Sequence, residues 1–195
     1  MRAIGRVLAA ITALIGVAVV AAFITVQFYT RDLPDHEKLA TYEPPLATRV
    51  YAGDGRLLAE YATEKRAFVP IDLMPEPLIR AFVSAEDKNF FTHPGIDVIG
   101  IGRAVLTNLT NLGTDRRPVG ASTITQQVAK NFLLTNEVSL QRKIREAILA
   151  FRISNAFSKE RILELYLNQI YLGRGAYGVA AAAVVYFDKG LNELT

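Results

Sequence analysis

The chain has 195 residues, with 22 Lys and Arg against 19 Asp and Glu, no Cys, and His only at positions 36 and 93. That length accommodates one domain with a real core plus an anchoring segment, and no second full enzyme. The missing Cys excludes disulfides, thiolate metal sites, cysteine nucleophiles and lipid attachment through Cys, and two histidines are too few for a multi-histidine metal centre. The mildly basic balance suits phosphates or anionic lipid without selecting either.

Residues 7–26, VLAAITALIGVAVVAAFITV, carry no charge. At 1.5 Å per residue they match the roughly 30 Å core of a bilayer. A cleaved signal peptide has an apolar region of only about 7–15 residues, so the segment reads as an uncleaved signal-anchor. Arg2 and Arg6 precede it, and the positive-inside tendency puts them in the cytoplasm and the rest of the chain outside. Residues 29–47, rich in Pro and charge, read as a stalk. Residues 48–75 read as a short β element, with Gly53-Asp54-Gly55 as the turn between its first two strands. From 76 onward the chain turns helical, with apolar residues three and four apart over roughly 78–90, 122–133, 139–157, 159–171 and 178–187. Between the first two of these blocks, residues 111–120 have no period and hold two Gly, a Pro and adjacent Arg116 and Arg117, as expected of a mobile loop. The chain stops directly after an apolar helix, and is expected to be incomplete at that end. The fold class expected is therefore mainly α, behind a short β element and an N-terminal transmembrane helix.

Three constellations carry chemistry. In the first helix Leu78, Ile79, Phe82, Val83 and Phe90 share a stripe, and Glu86 occupies a place on it where an apolar residue is expected. Partial burial would raise its pKa and make it a better proton acceptor near neutral pH. A frayed helix end, or an ion pair with Lys88, Arg80 or Arg103, explains the same residue without chemistry. In the second, a helix capped by Ser122 places Thr123, Gln126, Gln127 and Lys130 on one side. Amides followed by a cation suit sugars and phosphates, and a solvated polar face is the plainer alternative. In the third, helix 139–157 has a main apolar face of Leu140, Ile144, Ala147, Ile148 and Phe151, and a second line of Arg142, Glu146, Leu149 and Ile153. Arg142, Lys143 and Glu146 together suit a pyrophosphate with a divalent metal, or form an ordinary helical ion pair.

Together these segments resemble the family 51 peptidoglycan glycosyltransferases, the N-terminal module of class A penicillin-binding proteins. The resemblance runs through Glu86-Asp-Lys-Asn-Phe-Phe-Thr-His-Pro-Gly-Ile-Asp97, the run 120–131, Arg142-Lys143 with Glu146, and 159–168 on to Gly173, Gly178 and Ala182. Tyr186-Phe187 with Lys189 begins a fifth signature, in which Asp188 stands where Gly is common. The resemblance implies a lysozyme-like fold and processive transfer from a growing glycan diphosphate lipid to lipid II, forming β-1,4 links with inversion. It implies Glu86 as the base and Glu146 as a carboxylate near the leaving pyrophosphate and its Mg or Mn. It implies phosphate contacts from Lys130, Arg142 and Lys143, sugar contacts from Ser122, Gln126 and Gln127, and Asp87 as an organiser of the substrate site. His93, Glu164 and Asn168 are expected to be structural. The implied setting is the bacterial inner membrane with the catalytic domain in the periplasm. The implied partners are lipid II, the glycan strand, the membrane and other wall-synthesis proteins, with no nucleic acid. No Ser-x-x-Lys is present, so no transpeptidase module is expected in this chain. A lytic enzyme on the same fold, or an inactive membrane scaffold, are the competing readings.

Overall fold

The computed structural model describes residues 2–42, 48–61, 65–135 and 137–194. Parts of the expected stalk (43–47) and β element (62–64), and the final residue, lie outside the described residues. Helix α1, Arg2–Thr30, contains a stretch, Ala9–Thr30, long and apolar enough to cross a membrane. Strands β1 (Thr48–Tyr51) and β2 (Leu57–Tyr61) form an antiparallel hairpin around the expected turn. Strand β3 (Lys65–Arg66) pairs in parallel with β4 (Ala176–Tyr177), a long-range pairing no local pattern announces.

The domain is mainly α, consistent with the lysozyme-like helical domain that the resemblance implies. Its helices are α2 (Glu76–Glu86), α3 (Val98–Thr110), α4 (Ile124–Leu133), α5 (Leu140–Ala156), α6 (Lys159–Gln169) and α7 (Val179–Phe187). Helix α6 is the centre: Ile162, Leu163, Leu165, Tyr166 and Leu167 are all buried, so it is enclosed on nearly every side. Asn168 ties it to the incoming chain, its Oδ1 accepting from Val69 N (2.9 Å) and its Nδ2 donating to Val69 O (2.8 Å). Glu164 accepts from Ile71 N at 2.9 Å. Both side chains thus hold α6 to the segment before α2.

The structure corrects several expectations. Helix α3 was not among the helical blocks; its two Gly and β-branched residues dilute a period that Asp97 nevertheless initiates as N-cap, accepting from Gly100 N at 2.8 Å. The cap of α4 is Thr123, in a capping box with Gln126, and not Ser122. On α5 the two faces exchange roles: Leu140 and Phe151 are 79% and 50% exposed, while Glu146, Leu149, Ala150 and Ile153 are buried. The buried line is the one that meets α4. The expected stalk docks on the core over its described part. Leu39 is buried and its carbonyl accepts from Arg161 (3.1 Å), and the Tyr42 ring meets Phe132 edge-on at 4.6 Å.

Candidate active site

Helix α2 ends at Glu86 because Asp87 leaves the helical conformation, so Phe90 reaches the core from the following turn and not from the helix face. The apolar stripe therefore stops short of Glu86, which is exposed rather than partly buried. What holds it is Gln127 of α4, whose Nε2 donates to Glu86 Oε2 at 2.8 Å. Glu86 opens onto a cavity of about 240 Å³ whose wall includes Lys88, Asp97, Arg103, Thr107 and Ser122. Beyond Gln127 lies a second cavity of about 270 Å³, walled by Lys130, Arg142, Lys143 and Glu146 together with Gln126 and Gln127. Ser122 borders both cavities. The predicted binding residues other than Asp87 thus converge on the second cavity, and Glu86 stands at the edge of the first.

Asp87 faces inward. It is buried, with His93 Nε2 at 2.9 Å from its Oδ1 and 3.0 Å from its Oδ2, and the Ile124 N–H donating to the same Oδ2 at 3.0 Å. His93 Nδ1 accepts from Gly95 N at 3.1 Å, which puts the imidazole proton on Nε2, toward Asp87. Thr123 Oγ1 donates to Gly95 O at 2.6 Å, and Lys159 donates to His93 O at 2.8 Å while its Nζ lies 4.7 Å from the centre of the Phe90 ring. Burial pulls the Lys159 ammonium below the ordinary lysine range, partly offset by Asp87. The first signature is thus a clamp: Asp87 and His93 fasten the end of α2 to the start of α4, and so fix Glu86 opposite Gln127. Gly95 has φ +94°, and a Cβ there would lie 2.4 Å from Ala150 O, so this turn needs glycine.

Glu146 is 2% exposed, and both its oxygens are engaged, one by the Arg142 guanidinium and the other by Lys143 Nζ at 2.8 Å. Lys143 also donates to Ser122 Oγ at 2.7 Å, joining α5 to the approach of α4. Desolvation lowers the Lys143 pKa from the ordinary lysine value, and neighbouring Arg142 and Lys130 lower it further. No group of three or more His, Asp or Glu that could hold a metal occurs among the described residues. A single carboxylate already neutralised by two cations does not fit a metal held by the protein itself. Gln126 is buried, its Oε1 accepting from Thr123 N (2.9 Å), which leaves its amide nitrogen for the cavity.

The family model for transglycosylases matches residues 54–195. The chain belongs to the transglycosylase family. It is 59% identical over 186 residues to penicillin-binding protein 1A of Rickettsia felis, a match that covers 95% of this chain and 23% of that protein. It is 52% identical to penicillin-binding protein 1A of Aquifex aeolicus (85% and 22% covered) and 48% identical to that of Neisseria flavescens (94% and 22%). The chain thus spans about a quarter of the length of these curated relatives.

Within this transglycosylase, sequence reasoning missed three contributors to the site. Arg103 and Thr107 line the Glu86 cavity from α3, the unforeseen helix; their i, i+4 spacing was the available signal. Tyr166 is buried beneath α2, its ring 6.3 Å from that of Phe82, and burial with the nearby Glu86 charge pushes its hydroxyl well above the usual phenol range. Nothing in the sequence around Tyr166 distinguishes it from a core aromatic.

Proposed function

We propose that this chain polymerises lipid II into β-1,4 glycan strands as a membrane-anchored peptidoglycan glycosyltransferase, with Glu86 as general base. The observation that carries the reading is the position of Glu86, fixed by Gln127 between a cavity open for an acceptor and one lined by cations. The 4-hydroxyl of the acceptor sugar attacks the anomeric carbon of the donor from the face opposite its diphosphate. Its proton passes to the Glu86 carboxylate, and the electron pair of the breaking C1–O bond leaves with the pyrophosphate. A leaving group that is already a phosphate needs positive charge more than a proton donor. Lys130, Arg142 and Lys143 supply that charge, and Glu146 holds the last two in place. Gln126, Gln127 and Ser122 offer hydrogen bonds to the sugars, and Asp87 acts through the backbone it fastens. Helix α1 anchors the domain, with Arg2 and Arg6 on the cytoplasmic side and the site outside the inner membrane, where other wall-synthesis proteins would meet it.

The test is Glu86→Gln in the full-length protein that carries this chain. General-base loss should cut lipid II polymerisation by about 10²–10⁴-fold while thermal stability is retained. Polymer at the wild-type rate would remove Glu86 from this role. Release of soluble muropeptides from sacculi by the wild type would favour a lytic enzyme, and lack of any turnover a scaffold.

A further inference from the structure

Among the described residues, four buried side-chain polar atoms have no hydrogen-bond partner, and the phenolic oxygen of Tyr166 is one of them. The residue is 1% exposed. An unmatched buried hydroxyl costs stability, and a phenylalanine of the same shape would avoid that cost.

The surroundings of the hydroxyl give it a use. Tyr166 lies on α6, where that helix meets the two helices that present Glu86 and its partner. Its ring meets Phe82 of α2 edge-on at 6.3 Å, and Phe82 stands one turn before Glu86 on the same side of that helix. Helix α4, which also packs on α6, brings Gln127 to Glu86. The Glu86 charge reaches the phenol and adds to burial in holding its proton, so Tyr166 is an O–H donor and not a phenolate. Glu86 has room for such a donor: Gln127 takes Oε2 at 2.8 Å, and Oε1 has no partner among the described residues. The carboxylate is exposed, where water meets its remaining hydrogen-bonding capacity. Sugars seated in the cavity displace that water, and the carboxylate then turns to the donors the protein offers. Glu86 is the last residue of α2 and can swing on its side chain, whereas the Tyr166 ring is fixed in the core.

We propose that Tyr166 is a positioning residue for the base: with substrate bound, its hydroxyl donates to the Glu86 carboxylate and, together with Gln127, fixes the oxygen that faces the acceptor hydroxyl. This rests on the reading of Glu86 as general base. Tyr166 is buried and touches neither sugar nor phosphate; the acceptor proton still goes to Glu86. Because the bond forms only once water has left, it acts on the bond-making step and not on binding.

The experiment compares the wild-type full-length protein in detergent with Tyr166→Phe, Glu86→Gln and the double variant. It follows single additions with a preformed glycan diphosphate lipid as donor and lipid II as acceptor, each varied while the other saturates. Tyr166→Phe keeps the ring and its contact with Phe82, so Tm should stay within about 2 °C of wild type or rise. Its kcat should fall on the order of tenfold or more with both KM values within about twofold, since a misaligned base loses rate and not affinity. In the Glu86→Gln background the same substitution should change the residual rate by less than about twofold, because its effect passes through the carboxylate. A kcat within about twofold of wild type overturns the proposal, as does a KM rise as large as the kcat loss. An equal loss in the Glu86→Gln background overturns it too. So does a Tm lowered by more than about 2 °C, or loss of folding, in Tyr166→Phe, since either shows that the hydroxyl has a structural partner. Failure of the underlying reading looks different: the wild type would transfer no sugar, or Glu86→Gln alone would retain full turnover.

Discussion

Replacing Asp87 by Asn tests the clamp that positions Glu86. The carboxylate receives two buried donors, His93 Nε2–H and the Ile124 N–H. His93 Nε2 lies 2.9 Å from Oδ1 and 3.0 Å from Oδ2, so in Asp87→Asn the single amide oxygen at the Oδ2 place accepts from both donors as a neutral group, and the NH₂ group is left against the imidazole N–H. The imidazole cannot relieve this by moving its proton to Nδ1, because that nitrogen accepts from Gly95 N at 3.1 Å. The cost is the loss of charge assistance from both hydrogen bonds and a buried NH₂ group set against the imidazole N–H, about 2–4 kcal/mol. For a chain of this size each kcal/mol lowers Tm by about 2–4 °C, so a fall of roughly 5–15 °C is expected by circular dichroism in detergent. Activity should fall as well, since Ile124 begins the helix that carries Gln127. A Tm within about 2 °C of wild type would refute the assignment of both donors to Asp87.

Gly95→Ala is expected to destabilise by about 3 kcal/mol or more, because the residue has φ +94° and the added Cβ would lie 2.4 Å from the Ala150 carbonyl oxygen. The urea midpoint measures it, and an unchanged midpoint would show that the turn can relax. Asp97 should contribute to acid stability: the Gly100 N–H, then Asn89, hold its carboxyl below the ordinary value. A depressed folded pKa means stability that is present above the unfolded value, near about 3.9, and lost as pH falls through the folded one. Asp97→Asn should flatten that part of the acid-unfolding profile; a slope identical to wild type would contradict the assignment.

Residue order alone determined the long apolar N-terminal helix, the hairpin turn at 53–55, the mainly α class and the run of short signatures, because each depends on spacing within one segment: an uncharged run, a turn, a helical period. Helix α3 escaped because two glycines interrupt its period, although Asp97 and Gly100 mark its start. The surroundings of the two carboxylates could only be decided by packing. The period put Glu86 on a buried stripe and Glu146 on a secondary one. In the fold α2 ends at Glu86 and leaves it exposed, while Glu146 lies at the head of the stripe that α5 turns toward α4, 2% exposed and matched by Arg142 and Lys143. A helical pattern tells which residues share a face. Which face meets the core, and where the helix stops, depends on partners far along the chain: the Ile124 N–H that accommodates Asp87, 37 residues away, and the Gln127 amide that reaches Glu86 across 41.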